Sequence, residues 1–483
     1  MNTAKLKNTV LAQELQYDVS YISKWTNGQI LPAEKGVEKI LKGISSCIIQ
    51  ALDDTGREQL YIQYTVDNLE DLEGAIYDNL LIEYNYVKEL KVDTGSEIAP
   101  PFMYYPELTL IQFIDKMRHP VLRSVQSLDV IAMLDLFSME KYCQYAIADL
   151  QNNGMRGPRI KYPGVHFKML LDMSGVMTNP IYNTTLIMNM ISNFTTLDFS
   201  IYESKQAKGK AVFAVDNGYI ISGMMTDNNH CIAVTTSEEQ DICSAMYDKL
   251  KSYCTKNNRI LAQIEMEEFL EDNNYMKSIL CEKHFYMLSY LSEHLMSEEL
   301  FESIVEEMKS TEEPELIKNI RKTYYLTKSI LMETETNIIL NDAAIHSIMV
   351  DGEVSFFHKR IMLNANQRLA FLKSILDDQQ QNTGIKIRLL AREAFSGIQL
   401  IGKPNVFISQ SMSHLRIPDV NENNIVNTVI SSSLEKLLKH SFREMWEMLG
   451  EEAEEKTTEI LKQSVRTMDI LNRSLSRREN DKK

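Results

Sequence analysis

The chain has 483 residues, of which 44% are hydrophobic, and a formal net charge of −16. This length and composition allow roughly two to four domains with well-formed cores, and the negative charge excludes a protein that coats nucleic acid over its whole surface. No apolar run reaches the length of a membrane span, the N-terminus lacks the pattern of a signal peptide, and the six cysteines form no CxxC pair. We therefore expect a cytoplasmic protein with reduced thiols that binds no membrane and no structural zinc.

The first predicted elements are two short helices between positions 11 and 32, in the sequence LAQELQYDVSYISKWTNGQILP. The sequence QYD is predicted to form the turn between them, and Asp18 is placed to cap the second helix. A steeply crossed helix pair needs a small residue at the crossing, and Ala12 fits this position. The pattern is that of a helix-turn-helix unit. The apolar positions that it would bury are Leu11, Ala12, Leu15, Tyr17, Ile22 and Trp25.

The remaining side chains of the second helix and of the following turn are polar, and they are suited to contact DNA in a major groove. The predicted DNA-binding residues are Asn8, Ser20, Tyr21, Ser23, Lys24, Asn27 and Gln29. We expect Ser20, Tyr21 and Lys24 to read bases, and Asn8, Asn27 and Gln29 to contact phosphates. The alternative is an ordinary helical hairpin with a polar outer face.

The run SYISKWTNGQILP resembles the signature of the lambda-repressor/Cro (XRE) family of bacterial DNA-binding domains. In that family the recognition helix is followed by a W-x-N-G-x-x-x-P turn, represented here by Trp25, Asn27, Gly28 and Pro32. Gln16 departs from the usual turn glycine, which takes a positive backbone dihedral. Only five residues precede the helix pair, so the first helix of the family is missing or very short. Its place in the core would be taken by later residues or by a second subunit.

Charge distribution separates this head from the rest of the chain. Residues 1–45 contain six lysines and four acidic residues, a net charge of +2, which leaves −18 for the remainder. An acidic body repels DNA, so any DNA contact is expected at the N-terminus.

Residues 46–92 have helical periodicity and are predicted to form a connector or a dimerisation element. The Pro-rich segment VDTGSEIAPPF and the segment NNGMRGPRIKYPG are predicted boundaries. Residues 106–150, including SLDVIAML, and residues 259–331 are predicted to be mainly helical. Between them, VHFKMLLDM is predicted to be a strand, NPIYNTTLIMNMISNF a helix, LDFSIYES, AVFAVDN, YIISGMM and CIAVTTS strands, and EEQDICSAMYDKLKSYCTK a helix.

The same order of elements is predicted near 181–255 and near 365–449, which suggests two duplicated units. In the second half, NIILN, HSIMV, IKIRLLARE, NVFISQS and HLRIP are predicted strands. ANQRLAFLKSILDDQQ is a predicted helix, and NNIVNTVISSSLEKLLKHSFREMWEML is predicted to be a closing helix. Such alternation favours α/β layers.

AVFAVDNGYIISGMM resembles the strand-turn-strand core of the phospholipase D superfamily, which has a duplicated α/β fold. The active sites of that family need H-x-K-x-x-x-x-D, with histidine as nucleophile and lysine on the phosphate. If Asp216 is aligned with the motif aspartate, Gly209 and Ala211 occupy the histidine and lysine positions. The sequences that begin at His166 and at His414 have the aspartate at the wrong distance. The resemblance therefore implies a non-catalytic relative used for binding or assembly.

The sequence as a whole predicts an α+β, multidomain chain with an all-α head, a helical connector and a large α/β body. The predicted segments are 1–45 (head), 46–95 (connector or dimerisation), 102–258 (first α/β sensor or assembly unit), 259–331 (acidic helical), 332–450 (second α/β unit) and 451–483 (C-terminal helix and basic tail). No phosphate-binding loop, HExxH or GxSxG occurs, so we expect no enzyme activity, cofactor or metal.

The predicted function is that of a sequence-specific bacterial transcriptional regulator that binds double-stranded DNA as a homodimer or higher oligomer, with a small-molecule or peptide effector as a further partner. Two alternatives stay open. One is a phosphodiesterase-like enzyme or defence effector with an autoregulatory DNA-binding head, and the other is a protein-interaction scaffold.

Overall fold

The computed structural model describes residues 6–26, 30–64, 66, 68–92, 102–117, 127–148, 164–193, 198–216, 218–227, 229–271, 273–357, 359–381, 384–391, 404–417 and 425–480. The two predicted boundary segments lie almost entirely outside these residues. In chain order the helices are α1 (Asn8–Leu15), α2 (Val19–Thr26), α3 (Val37–Ala51), α4 (Asp54–Tyr64), α5 (Leu69–Val92), α6 (Leu110–Met117), α7 (Lys141–Ala148), α8 (Pro180–Asn193), α9 (Gln240–Lys251), α10 (Met266–Glu271), α11 (Asn273–Ile279), α12 (Glu298–Met308), α13 (Pro314–Glu333), α14 (Asp342–Val350), α15 (Ala365–Gln380), α16 (Ser432–Leu449) and α17 (Glu452–Asn480).

The strands follow the same numbering. They are β1 (Met103–Thr109), β2 (Ser127–Leu134), β3 (Gly164–Leu171), β4 (Asp198–Glu203), β5 (Lys210–Val215), β6 (Tyr219–Met225), β7 (His230–Ser237), β8 (Leu261–Glu265), β9 (Lys283–Leu288), β10 (Glu335–Asn341), β11 (Glu353–Phe356), β12 (Lys359–Met362), β13 (Ile385–Leu390), β14 (Asn405–Ile408), β15 (His414–Arg416) and β16 (Ile425–Val429). The fold is mixed α+β with two large mixed sheets, as predicted at this level.

The chain forms two compact units that are not contiguous in sequence. Unit 1 comprises residues 1–172 and 204–254, and unit 2 comprises residues 173–203 and 255–483. The division into six segments stays a prediction. Among the described helices, none is both long enough and apolar enough to cross a bilayer.

The sheet of unit 1 has the strand order β1-β7-β6-β5-β2-β3. Strands β2 and β3 are parallel, and all other neighbouring pairs in this order are antiparallel. Helix α9 packs against β2, β5 and β6, and α6 packs against β1, β6 and β7. The N-terminal helices α1 to α5 belong to the same unit.

The sheet of unit 2 has the order β8-β16-β15-β14-β9-β10-β13. Its strands β9, β10 and β13 are parallel, and its other neighbouring pairs are antiparallel. Helix α17 packs along α15 and β13, while α16 packs against α8. The core of this unit is rich in aromatic side chains, and the rings of Phe301 and Tyr324 are stacked with centroids 3.6 Å apart.

The two sheets share one topology over six strands each. In unit 1, β1 lies at the edge, β2 and β3 are parallel neighbours, and the antiparallel strands β5 to β7 lie between β1 and β2. In unit 2, β8 lies at the edge, β9 and β10 are parallel neighbours, and the antiparallel strands β14 to β16 lie between β8 and β9. The repeated order of elements predicted from the sequence is therefore present. It also extends upstream of the predicted repeat, because β1 to β3 correspond in order to β8 to β10.

Several local predictions were wrong. SLDVIAML is not helical but forms the interior strand β2, in which Val130, Ile131 and Ala132 are all fully buried. A strand buried on both faces is continuously apolar and lacks the alternation that distinguishes a strand from a helix. The region 259–331 contains strand β8 ahead of its first helix, α10, and strand β9 between α11 and α12. NNIVNTVI includes strand β16 ahead of the closing helix.

The segment HSIMV was predicted to be a strand and is instead the end of α14. The side chain of Asn341 accepts a hydrogen bond from the backbone N–H of Ala343 at 2.9 Å, which starts a helix directly after β10. Ala344, Ile345 and Ile348 are then buried on one helical face. The cap decides the conformation here, although the β-branched residues alone favour a strand.

Candidate nucleic-acid interface

Helices α1 and α2 pack against each other through a small apolar core. Leu11, Ala12 and Ile22 are buried, and Leu15 and Trp25 are half-buried against them. Tyr17 was predicted to be buried, but it is 42% exposed. It lies outside this core and packs edge-on against the ring of Trp25, with centroids 4.9 Å apart.

The connection between the two helices is set by Gln16 and Asp18. Gln16 takes the left-handed conformation, with φ 56° and ψ 41°, at the position where the family pattern has glycine. The backbone N–H of Tyr17 then donates to the carbonyl of Ala12 at 3.0 Å, which closes α1. Asp18 caps α2 as predicted, since its Oδ1 accepts the backbone N–H of Ser20 at 2.8 Å. Hydrogen bonds from the side chain and backbone of Ser20 hold the pKa of Asp18 below its usual range.

The core of the helix pair is completed by later helices of the same chain. Cys47 and Ile44 of α3 pack on Leu11 and Ile22. A Cβ at Gly43 of α3 would lie 2.5 Å from Leu15 Cδ2, so glycine allows α3 to approach α1 closely. Helix α3 therefore contributes to the core that α1 and α2 share.

Helix α5 supports the segment that follows α2. Tyr84 is buried with Val37 and Leu41, and its hydroxyl donates to the carbonyl of Pro32 at 3.2 Å. This bond fixes the start of the segment leading into α3 relative to α5. Helices α3 and α5 of unit 1 thus support the helix pair and the segment that follows it.

The outer face of α2 leaves the predicted base-reading residues accessible. Ser20, Tyr21 and Lys24 are exposed, and Ser23 is half-buried. Tyr21 is 52% exposed, and its ring lies 6.5 Å from that of Trp25. These side chains offer hydroxyl groups and one cation, which can hydrogen-bond to base edges or phosphate oxygens.

Of the three residues predicted to contact phosphates, the structure describes Asn8. The side-chain amide of Asn8 donates to the hydroxyl of Thr26 at 3.3 Å, so it links the start of α1 to the end of α2. Asn27 and Gln29 lie outside the described residues.

Unit 2 contains a buried polar cluster that sequence reasoning missed. Arg416 Nη1 on β15 donates to Glu293 Oε1 at 2.5 Å, and both side chains are buried. His294 Nε2 lies 3.3 Å from the hydroxyl of Tyr275, which is 2.5 Å from the hydroxyl of Thr327. Burial raises the pKa of Tyr275 and lowers that of His294 to about 4. Burial would also raise the pKa of Glu293, but the charge of Arg416 opposes it and leaves this pKa below its usual value.

The two histidines of the near-motif sequences have different environments. His414 on β15 is buried, stacked on Phe407 at 4.7 Å and close to Phe269 at 5.0 Å. Neither of its ring nitrogens has a hydrogen-bond partner among the described residues, and burial holds its pKa well below the usual value. His166 is exposed on β3. A nucleophile needs access to its substrate, and His414 as placed has none.

Other site chemistry is limited within the described residues. No group of three or more histidine, cysteine, aspartate or glutamate side chains is arranged there to hold a metal ion. The six cysteine thiols are free, and burial raises the pKa of Cys143 to about 12. Asp216, the aligned motif aspartate, accepts a hydrogen bond from the hydroxyl of Ser244 at 3.1 Å.

No protein-family model matches the sequence, and no curated protein matches it. Among solved structures, the chain is similar to a phosphatidylserine synthase from Haemophilus influenzae Rd KW20 over 79% of this chain and 94% of that chain, with 8% sequence identity and a TM-score of 0.24. A TM-score this low carries no argument about the fold or activity of this chain.

Proposed function

We propose that this chain is a sequence-specific DNA-binding transcriptional regulator of the cytoplasm. Helix α2 enters a major groove, with Ser20, Tyr21 and Lys24 at base edges and with Asn27 and Gln29 near phosphates. Asn8 acts there through Thr26, by holding the two helices together. The acidic body, made of the remainder of unit 1 and of unit 2, is proposed to sense an effector, to hold an oligomer, or both.

The observation that supports this proposal is the asymmetry of α2. Ile22 is completely buried on one side of the helix, while Ser20, Tyr21 and Lys24 are exposed on the other. Asp18 caps the end of the helix at which bases are contacted in helix-turn-helix proteins. The fold thus uses one face of α2 for packing and leaves a polar face that packing does not require.

Dimerisation is part of the proposal, because a single helix of this size provides few contacts. Two recognition helices in successive major grooves lie roughly 34 Å apart, so we expect two half-sites spaced by about 10 base pairs. The net charge of +2 on residues 1–45 limits the non-specific component of binding. Affinity is therefore expected to depend strongly on the second subunit.

The test compares DNA binding by the full chain and by a Tyr21→Ala/Lys24→Ala variant, using duplexes selected from a random pool. We expect the variant to lose specific binding, because it removes the hydroxyl and the cation on the outer face of α2. The matched control is Tyr145→Ala/Lys322→Ala, which removes an exposed tyrosine and an exposed lysine from α7 and α13. Specific binding retained by the first variant, or lost equally by the control, would refute the assignment.

A further inference from the structure

Four apolar or aromatic side chains of the helix pair lie outside its core and are exposed. Val10 is 44% exposed, Tyr17 and Val19 are each 42% exposed, and Tyr21 is 52% exposed. Single exposed apolar residues are common on protein surfaces, but these four residues are concentrated within twelve positions of the sequence. Three of them lie at the turn and in the first part of α2.

Val19 is the first residue of α2 and is well placed to face a ligand. It directly follows the capping residue Asp18 and precedes Ser20, whose backbone N–H donates to the Asp18 side chain. The buried face of α2 is supplied by Ile22, so packing of the helix pair does not need an apolar side chain at position 19. A β-branched residue also has lower helix propensity than the straight-chain polar residues that would serve on an exposed face.

The major groove presents one apolar group, the C5-methyl of thymine. The N-terminal residues of a recognition helix are those that contact base edges. We infer that Val19 reads a thymine methyl group, with Ser20 hydrogen-bonding beside it, so that the operator half-site has a fixed A·T pair opposite the start of α2. This inference rests on the proposed DNA-binding function and adds a specificity-determining residue that polar chemistry alone did not single out.

Duplex DNA fits this face better than a protein partner does. Lys24 lies on the same helix, and residues 1–45 carry a net charge of +2 while the rest of the chain carries −18. Val19 and the adjacent Ser20 are both exposed at the start of α2, and an apolar side chain next to a hydroxyl matches the edge of an A·T pair, which presents a methyl group beside a hydrogen-bond acceptor.

The test uses the full chain and begins with selection of duplexes from a random pool. In the selected operator, the thymine at each conserved position of a half-site is replaced in turn by uracil, which removes only the methyl group. We expect uracil at one position to weaken binding about fourfold, the effect of burying one methyl group. Val19→Ala should weaken binding to the thymine operator by a similar factor and should have no further effect on the uracil operator.

The matched control is Val10→Ala, because Val10 is equally exposed but lies on α1. This variant should distinguish thymine from uracil as the unmodified chain does. Both valines are exposed, so neither substitution is expected to prevent folding.

Four outcomes would overturn the inference. Half-sites without a fixed thymine, or equal binding of thymine and uracil at every position, would show that Val19 reads no methyl group while DNA binding itself stands. A Val19→Ala variant with unchanged DNA affinity but altered self-association would assign the face to a protein contact. Failure to enrich any sequence from the pool would instead remove the proposed function, and the inference with it.

Discussion

Arg416 and Glu293 form an ion pair inside unit 2, with Nη1 and Oε1 2.5 Å apart and both side chains almost without solvent contact. The Arg416 guanidinium also faces the ring of Phe407 at 4.7 Å. Its Nε and Nη2 atoms have no hydrogen-bond partner among the described residues. The buried positive charge of Arg416 is therefore compensated by the carboxylate of Glu293.

Replacing Glu293 with glutamine keeps the shape of the side chain and removes its charge. We expect Glu293→Gln to destabilise unit 2 by about 3–5 kcal/mol, because an uncompensated guanidinium stays buried. The matched control is Glu302→Gln, which breaks a partly exposed pair with Arg321 and should cost less than about 1 kcal/mol. The measurement is urea unfolding in a Trp25→Phe background, in which Trp446 reports unit 2. Equal losses in the two variants would contradict this account of the buried pair.

Three buried histidines predict that unit 2 is sensitive to acid. Burial lowers the pKa of His284 and of His294 to about 4, and it lowers that of His414 well below the usual value. Between about pH 4 and pH 6.5 the unfolded chain binds more protons than the folded chain, so stability is fully present above pH 6.5 and is lost as the pH falls. Each histidine contributes at most about 1.4 kcal/mol per pH unit.

The check is the free energy of unfolding measured from pH 7.5 to pH 4.5. His414→Phe preserves a ring against Phe407 and should flatten the acid slope without loss of stability at pH 7.5, since both nitrogens of His414 lack hydrogen-bond partners among the described residues. His440→Gln is the control, because His440 is half-exposed on α16. An unchanged slope in His414→Phe would show that this histidine titrates normally.

The left-handed Gln16 predicts a stabilising substitution. Gln16→Gly removes the steric cost of φ 56° and should stabilise the helix pair by about 0.5–1 kcal/mol. Gln13→Gly, in the interior of α1, should destabilise it by about 1 kcal/mol because glycine lowers helix propensity. Hydrogen exchange of the α1 and α2 amides measures both effects. Faster exchange in Gln16→Gly would mean that the connection between the helices is not left-handed.

Two other glycines provide a pair of opposite predictions. A Cβ at Gly384 would lie 1.9 Å from the carbonyl oxygen of Thr334, which is backbone and cannot move independently. We expect Gly384→Ala to destabilise unit 2 by about 1–3 kcal/mol. Gly74, on α5, has no atom within 4 Å of its added Cβ, so Gly74→Ala should stabilise unit 1 by about 0.5–1 kcal/mol. Thermal unfolding distinguishes the two, and a stable Gly384→Ala variant would contradict the close contact between Gly384 and Thr334, which directly precede β13 and β10.

Strands and helices were predicted correctly where a pattern within a few neighbouring residues is enough to define the element. Strands β5 to β7 were predicted because they are short apolar runs bounded by Gly, Asn and Asp, and helix α9 was predicted because its apolar residues repeat every three or four positions. β2 was missed because Val130, Ile131 and Ala132 belong to an apolar run without alternation, and no Gly, Pro or Asn separates this run from the helix α7 that follows it. α14 was missed because the cap at Asn341 outweighs local β propensity.

The helix pair α1–α2 and the buried polar cluster of unit 2 differ in how far they could be predicted from the sequence. Asp18, Ile22 and the exposed Ser20 and Lys24 were predicted from positions a few residues apart, because helix geometry alone fixes which face each occupies. Tyr17 was placed wrongly because a turn residue has no such periodicity. Glu293 and Arg416 are 123 residues apart, so only the tertiary fold brings them together. The available signal was Arg416 itself, a charged residue between apolar neighbours in a short strand.

The most direct test of the central claim is genome-wide mapping of DNA bound by the full chain in the cell, in parallel with the Tyr21→Ala/Lys24→Ala variant. The account predicts discrete sites that contain two related half-sites about 10 base pairs apart and that disappear in the variant. Absence of discrete sites, or sites that persist unchanged in the variant, would contradict the assignment of α2 as a DNA-reading helix.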